Sequence, residues 1–316
     1  MIKAKKKKLT AKDILSQVLI YLALVIFALW VLLPFSLVLL TSFKGIIEAN
    51  SLDFTWWPKE FTFQGYEKVL EYDMGTAYEG VPLIISGFIN TLWIVIPPTL
   101  LGLFSSAISA YAFAKLKFRF RDKMFSLLLA TMMIPGTILL TPTFIIYNMI
   151  GWVNTPFPLM IPGMFGAATC VFFMRQFYTG IPTELIEAAE IDGMGYFGIF
   201  FKVMVPLSVP ALLAQALLGF IGGYNDYLGP LIYLQDPEMY TLQIAMNQLK
   251  SFFAGRNVPA MMAATVISII PTVTLYILAV LFLSSGAVRE SSKYGGFEKI
   301  RSYSASDEAA NSSRDI

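Results

Sequence analysis

The chain has 316 residues, 56% of them hydrophobic and only 14% charged, with a mean hydropathy of +0.66 and a formal net charge of +2. Soluble domains carry about 25% charged residues, so the composition excludes an ordinary soluble protein and points to a membrane. With no histidine and one cysteine, Cys170, it excludes a histidine-based catalytic triad, an imidazole ligand, an internal disulfide framework and a multi-cysteine metal site.

Residues 1–13 form a basic leader with Lys3, Lys5, Lys6, Lys7, Lys8 and Lys12. The apolar run Ile14–Ser42 exceeds the about 7–15 residues of a signal-peptide core and matches the ~20 that cross a bilayer. It is expected to be a retained first span, kinked at Pro34. Residues 44–82 are polar and aromatic, with one short helix expected around Gln64–Tyr72. The pair Trp56-Trp57 suits an interfacial belt and a small satellite cluster equally. Leu83–Ala114 is expected to hold a second span, broken near Pro97-Pro98. Its Gly102, Ser105, Ser106, Ala107, Ser109 and Ala110 would permit close helix packing.

Lys115–Lys123 interleaves five basic residues with aromatics, and between two spans this reads as a cytoplasmic anchor rather than a nucleic-acid surface. Met124–Tyr147 is the third span. Its Pro135, Gly136 and Pro142 are tolerated in lipid only where neighbouring helices or a cavity satisfy the backbone. Leu159–Tyr178 is the fourth, with Gly163, Gly166, Ala167 and Ala168 as its packing face.

Residues 180–210 form a polar island between apolar runs. On a helix, Glu184, Glu187, Ala188 and Ile191 share one face. Thr183 is placed to cap that helix, with Glu184 in its first turn. Gly193 suits the left-handed position just beyond the helix end. A second helix is expected from about Tyr196 to Met204, stopping before Pro206. Ala188, Ala189 and Gly193 are small enough for a partner's backbone to approach.

The fifth span, Pro206 to about Tyr227, ends in Gly222-Gly223-Tyr224-Asn225-Asp226-Tyr227. The paired glycines should loosen this helix. Tyr224, Asn225 and Asp226 are candidates for a gate or a structural cap, ahead of direct contact with a solute. Asp236–Pro259 reads as a polar connector and Ala260–Ser284 as the sixth span. The chain thus divides into the leader 1–13, a six-span domain 14–290 and a tail, 291–316, expected to lack fixed structure.

With the leader, the 115–123 loop, the 180–210 island and the tail on one side, that side holds eighteen basic residues and the other five. This asymmetry puts both termini and the island in the cytoplasm. Ionisable residues are essentially absent between the flanks of the spans, unlike in proton- or ion-coupled carriers. No GxxxxGK[ST] phosphate-binding loop is present, so any ATP hydrolysis must come from another chain.

Glu187-Ala188-Ala189, then three residues, Gly193 and an apolar run into Pro206-Leu207-Ser208-Val209-Pro210, resembles the EAA signature loop of permease subunits of ATP-binding-cassette importers. Four further pieces resemble the carbohydrate-uptake branch, the maltose-type shorter inner-membrane subunit. They are Asn90-Thr91-Leu92, Ala110-Tyr111-Ala112-Phe113-Ala114, Asn225-Asp226 with Pro230-Leu231, and Asp236-Pro237-Glu238 before Tyr240-Thr241-Leu242.

The resemblance implies an all-α integral membrane protein of the type I importer class, with six transmembrane helices and a cytoplasmic EAA coupling helix, in the bacterial inner membrane. It implies a second homologous permease, two cytoplasmic ATPase subunits and an extracytoplasmic solute-binding protein as partners. The chain itself would bind no cofactor, ATP and Mg²⁺ being held by the ATPases, and it would have no nucleic-acid partner. In that family the EAA helix sits in a groove of the ATPase, which assigns coupling to Glu184, Glu187, Ala188, Ala189, Asp192 and Gly193. The loop matching Met246–Pro259 faces the binding protein, making Gln248, Lys250, Phe252, Gly255 and Arg256 candidates for that contact. A sugar or oligosaccharide is the implied solute. A polyol, glycerol phosphate or peptide is the alternative, with an ion-coupled secondary carrier behind both. The tail beyond Arg289 and the first outer loop are both longer than the family's usual pattern.

Overall fold

The computed structural model describes residues 11–74 and 80–282, which leaves most of the basic leader and all of the tail outside the described residues. Every regular element among the described residues is helical. In chain order they are α1 (Ala11–Ser42), α2 (Ile46–Ala49), α3 (Gln64–Glu71), α4 (Leu83–Lys115), α5 (Arg121–Thr131), α6 (Gly136–Met149), α7 (Phe157–Met164) and α8 (Ala168–Thr179). Then come α9 (Glu184–Ile191), α10 (Tyr196–Ile199), a π turn (Phe200–Met204), α11 (Val205–Tyr224), α12 (Leu228–Tyr233), a 3-10 turn (Pro237–Met239), α13 (Leu242–Phe253) and α14 (Val258–Phe282).

The six expected apolar segments are all present. Five are long enough to cross a membrane, and the third is the pair α5–α6, bent by 91°. At 11 and 14 residues, these two helices reach about 16 and 21 Å, each short of the ~30 Å hydrocarbon layer. The bend falls at Met132–Pro135, where Pro135 cannot continue a helix from the residues before it.

Pro97-Pro98 behaves differently from expectation: α4 runs through both without interruption. A break there would expose more backbone donors and acceptors to lipid than the two N–H groups the prolines lack. The fourth span, in contrast, is interrupted where it was expected to be continuous. α7 and α8 are separated by Phe165-Gly166-Ala167, with Gly166 at φ +95°.

The chain forms two compact units. Among the described residues, one holds 11–74, 80–86 and Ile244–Ser268, and the other Gly87–Gln243 with 269–282.

In the first unit, Phe43 is ringed by Phe61, Phe63 and Tyr66, and Ser42 Oγ lies 2.8 Å from Tyr66 Oη. Glu48 organises the turn beyond α1. Its carboxylate accepts a 2.6 Å hydrogen bond from Thr55 Oγ1 and bonds of 3.1 and 3.2 Å from the Lys59 N–H. The Thr55 hydroxyl first, and then that N–H with Lys44 and Lys59 nearby, hold the carboxyl below its ordinary range. Lys44 is itself buried and donates to the Thr55 carbonyl.

Residues 236–259 are more ordered than a connector. Leu242, Ala245, Leu249 and Phe253 recur at helical spacing and are buried along one side of α13. In the same unit Tyr72 stacks on Phe252 at 4.4 Å, and Asn50 Nδ2 donates to the Arg256 carbonyl.

The second unit is built on small-residue contacts between α4 and the α7–α8 span. A Cβ on Gly102 would land on the Gly163 carbonyl oxygen, and one on Gly163 would come 2.8 Å from Pro98 Cβ. Ser105 Oγ donates to the Met164 carbonyl, and Ser106 Oγ accepts from the Ala167 N–H freed at the interruption. Hydrogen bonds and backbone packing hold the two spans together, which is what lipid favours when apolar burial offers no net gain.

Candidate functional site

The α8–α11 connection, residues 180–204, makes an elbow whose inner side belongs to the core. Ile186 and Ala189 of α9, with Ile181, Ile199, Phe200 and Met204, pack against Tyr111 of α4 and Met174 and Tyr178 of α8. Burying an isoleucine this way is worth about 1.5–3 kcal/mol. The Lys115 ammonium, at the last position of α4, donates a 2.6 Å hydrogen bond to the Ile181 carbonyl. The other side of α9 is open. Glu184, Glu187, Ala188 and Ile191 are all exposed, Ile191 by 86%.

The helix ends follow from local chemistry. Thr183 occupies the N-cap, but it serves through its backbone. Its carbonyl accepts from the Ile186 and Glu187 N–H groups, whereas its hydroxyl makes no capping bond because the residue is already helical, at φ −72°, ψ −26°. At the other end Gly193 has φ +80°. The Gly193 N–H reaches the Glu190 carbonyl and the Met194 N–H reaches that of Ala189, the paired bonds of a Schellman stop. Ala189 therefore faces inward, and its small size serves this chain's own core rather than a partner.

The second helix does not stop before Pro206. From Tyr196 to Tyr224 the chain is one helical span. Pro206 lacks the N–H that an α-helix would direct back four residues. The π turn just ahead of it shifts the bonding pattern, so the Val205 N–H reaches five residues back to the Phe200 carbonyl. Glu184, Glu187, Glu190 and Asp192 all lie exposed on the outer surface, with Leu185, Ile191, Tyr196 and Phe197 exposed among them. None of these carboxylates is in an ion pair among the described residues.

At the far end of α11, Gly222 and Gly223 do not break the helix, which runs to Tyr224. Gly223 instead gives room to Val95, whose Cγ1 would lie 2.9 Å from an added Cβ. Tyr224 is buried. Asn225 caps α11, its Nδ2 donating to the Ile221 carbonyl, and Asp226 Oδ1 accepts from the Gly229 N–H in the first turn of α12. The cap half of the earlier expectation is what these bonds describe.

The neighbouring turn is clamped by Asn90, whose Nδ2 donates to the carbonyls of Glu238 and Tyr240, and by Thr91, whose Oγ1 accepts from the Leu242 N–H. Asn154, in the left-handed region at φ 61°, accepts from the Gln235 and Asp236 N–H groups and donates to the Asp236 carboxylate.

Of the residues expected to meet a binding protein, Lys250, Gly255 and Arg256 are exposed at the end of α13 and the turn after it. Phe252 is also exposed, with one ring face against Tyr72, and Gln248 is half-buried. The helical packing of α13 turns Gln248 partly inward, which a loop would not have done. Among the described residues no group of three or more metal-ligating side chains converges.

Residues 99–287 match the family of binding-protein-dependent transport system inner membrane components. The chain is 39% identical over 190 residues to the arabinooligosaccharides transport system permease protein AraQ of Halalkalibacterium halodurans, covering 60% of this chain and 67% of that one. It is 31% identical over 284 residues to the inner membrane ABC transporter permease protein YcjP of Escherichia coli, covering 88% and 96%. A solved bacterial ABC transporter involved in the import of the acidic polysaccharide alginate matches in fold, with a TM-score of 0.73 at 24% identity, over 86% of this chain and 98% of that one.

Proposed function

The chain belongs to the binding-protein-dependent transport system inner membrane components, and from that premise we propose that its elbow is the joint through which partner ATPases drive it. The protein is a multi-pass permease subunit of such an importer and not itself an enzyme. The observation that carries the coupling role is the two-sided α9: an inner side fixed in the core of α4 and α8, and an outer side with exposed carboxylates, none of them in an ion pair among the described residues.

A groove with a basic rim and an apolar floor would complement Glu184, Glu187, Ala188, Asp192 and the exposed Ile191. Two cytoplasmic ATPases would hold ATP and Mg²⁺, and a second permease would complete the pathway. This reading sets the elbow and both termini in the cytoplasm. Lys250, Gly255 and Arg256 would then face an extracytoplasmic binding protein. The named relative that handles arabino-oligosaccharides favours a sugar or oligosaccharide as solute. ATP and a loaded binding protein shift the permease only by preferring one of its two states.

Glu187→Lys reverses the charge at the centre of the exposed side without touching the core. It should abolish solute-stimulated ATP hydrolysis in the reconstituted importer while leaving the amount of inserted permease unchanged. Normal stimulated hydrolysis in that variant would overturn the coupling role.

A further inference from the structure

A cavity of about 500 Å³ lies within the second unit, between α4, the α7–α8 span and α11. Beside Ser106 and Cys170, three of its lining residues are polar and lie well inside their spans. Thr99 is sixteen residues from either end of Leu83–Lys115, Thr169 lies near the middle of Phe157–Thr179, and Gln215 is nineteen residues from the start of Tyr196–Tyr224 and nine from its end. At 1.5 Å per residue, Gln215 sits about 13 Å from the nearer helix end.

Several hydroxyls in the spans are satisfied within their own helix. Thr91 donates to the Gly87 carbonyl, Ser109 to that of Ser105 and Ser208 to that of Met204. Thr99, Thr169 and Gln215 make no such bond among the described residues. An amide left without a partner in an apolar setting costs about 1–3 kcal/mol, so its natural complement is water or a hydroxylated ligand. Phe172 and Phe173 add two aromatic side chains to the wall, and among the described residues no carboxylate, lysine or arginine lines it. A second cavity, of about 240 Å³, shares Pro98, Thr99, Gly163 and Gly219 with the first and extends to Asp226.

We propose that the cavity at Thr99, Thr169 and Gln215 is where this subunit touches the solute in transit, and that it takes an uncharged, polyhydroxylated solute such as a neutral saccharide. Hydroxyl and amide groups exchange hydrogen bonds with sugar hydroxyls, while the phenyl faces cover the apolar side of the ring. The inference rests on the importer reading, and it names the solute-contacting residues within that reading. The rival explanation is that the Gln215 amide is satisfied by the second permease.

The test uses the complete importer carrying Cys170→Ser, because the native thiol also lines the cavity, together with Gln215→Cys. A small, charged, water-borne methanethiosulfonate should modify the introduced thiol at a rate within about tenfold of one introduced by Lys250→Cys. An arabinan-derived neutral oligosaccharide at millimolar concentration should slow the reaction, and an alginate oligosaccharide should not.

An unreactive thiol, with and without vanadate-trapped nucleotide, would overturn the proposal. So would protection by the anionic sugar alone, or by neither. Loss of the second permease from purified Gln215→Leu complexes would assign the amide to the subunit seam. Reactivity does not depend on solute uptake, so an importer that carried no saccharide would fail the functional reading and leave the labelling result standing.

Discussion

Gly193 is the residue at which local chemistry and the elbow's shape meet. Only glycine takes φ +80° freely, and an L side chain there costs about 1 kcal/mol or more. Space is not the constraint, because an added Cβ would meet nothing within 4 Å. Gly193→Ala should therefore weaken the α9 stop more than Gly193→Asn, since asparagine tolerates the left-handed region. Faster hydrogen exchange at the Gly193 and Met194 amides, ranked alanine above asparagine above glycine, would check this.

This much was legible in the sequence, because a glycine at the end of an acidic amphipathic turn has few other uses. Ala189 was not. A helix wheel groups side chains by face but does not say which face the rest of the chain will cover. Gln215 was not legible either, because an uncharged amide does not stand out from the apolar run around it.

Among the elements, the proline-containing helices departed most from expectation. Pro97, Pro98 and Pro206 all lie inside continuous helices, while the third span bends at Pro135 and the fourth parts at Gly166. Sequence marks where a helix loses a donor; the surroundings decide whether a π turn or a neighbour makes up the loss. The small-residue faces of α4 and α7–α8 were legible, because close approach in lipid needs glycine, alanine and serine. Gly102→Val should accordingly displace the Gly163 carbonyl and cost about 1–3 kcal/mol of overpacking, seen as a lower midpoint when the purified complex is heated.

The Glu48 turn has a pH dependence of fixed sign. Its carboxyl is held below the ordinary range by Thr55, the Lys59 N–H and the nearby lysines. A depressed folded value means that the stabilisation is present above the unfolded value and is lost as pH falls through the folded one. Hydrogen exchange at the Lys59 amide, corrected for intrinsic rate, should therefore quicken on acidification below the usual carboxylate range, and Glu48→Gln should remove most of that change.

On the scale of the whole molecule, the exposed surface is too apolar for water and too extensive for one chain to cover. The chain carries no phosphate-binding loop, and the proposed second permease and ATPases would complete the importer. Reconstituted without ATPase partners, it should neither concentrate a solute nor hydrolyse ATP, and a flux assay with an ATP-regenerating system would detect either.

The first span buries none of its apolar window and is the most apolar of the five, whereas the Leu83–Lys115 span is the most buried and, with Phe157–Thr179, the least apolar. During synthesis, then, the first segment can leave the translocon into lipid on its own account. The glycine- and serine-rich segments after it gain their footing only once both have emerged, so truncating nascent chains between residues 115 and 157 should strand Leu83–Lys115 at the insertion machinery.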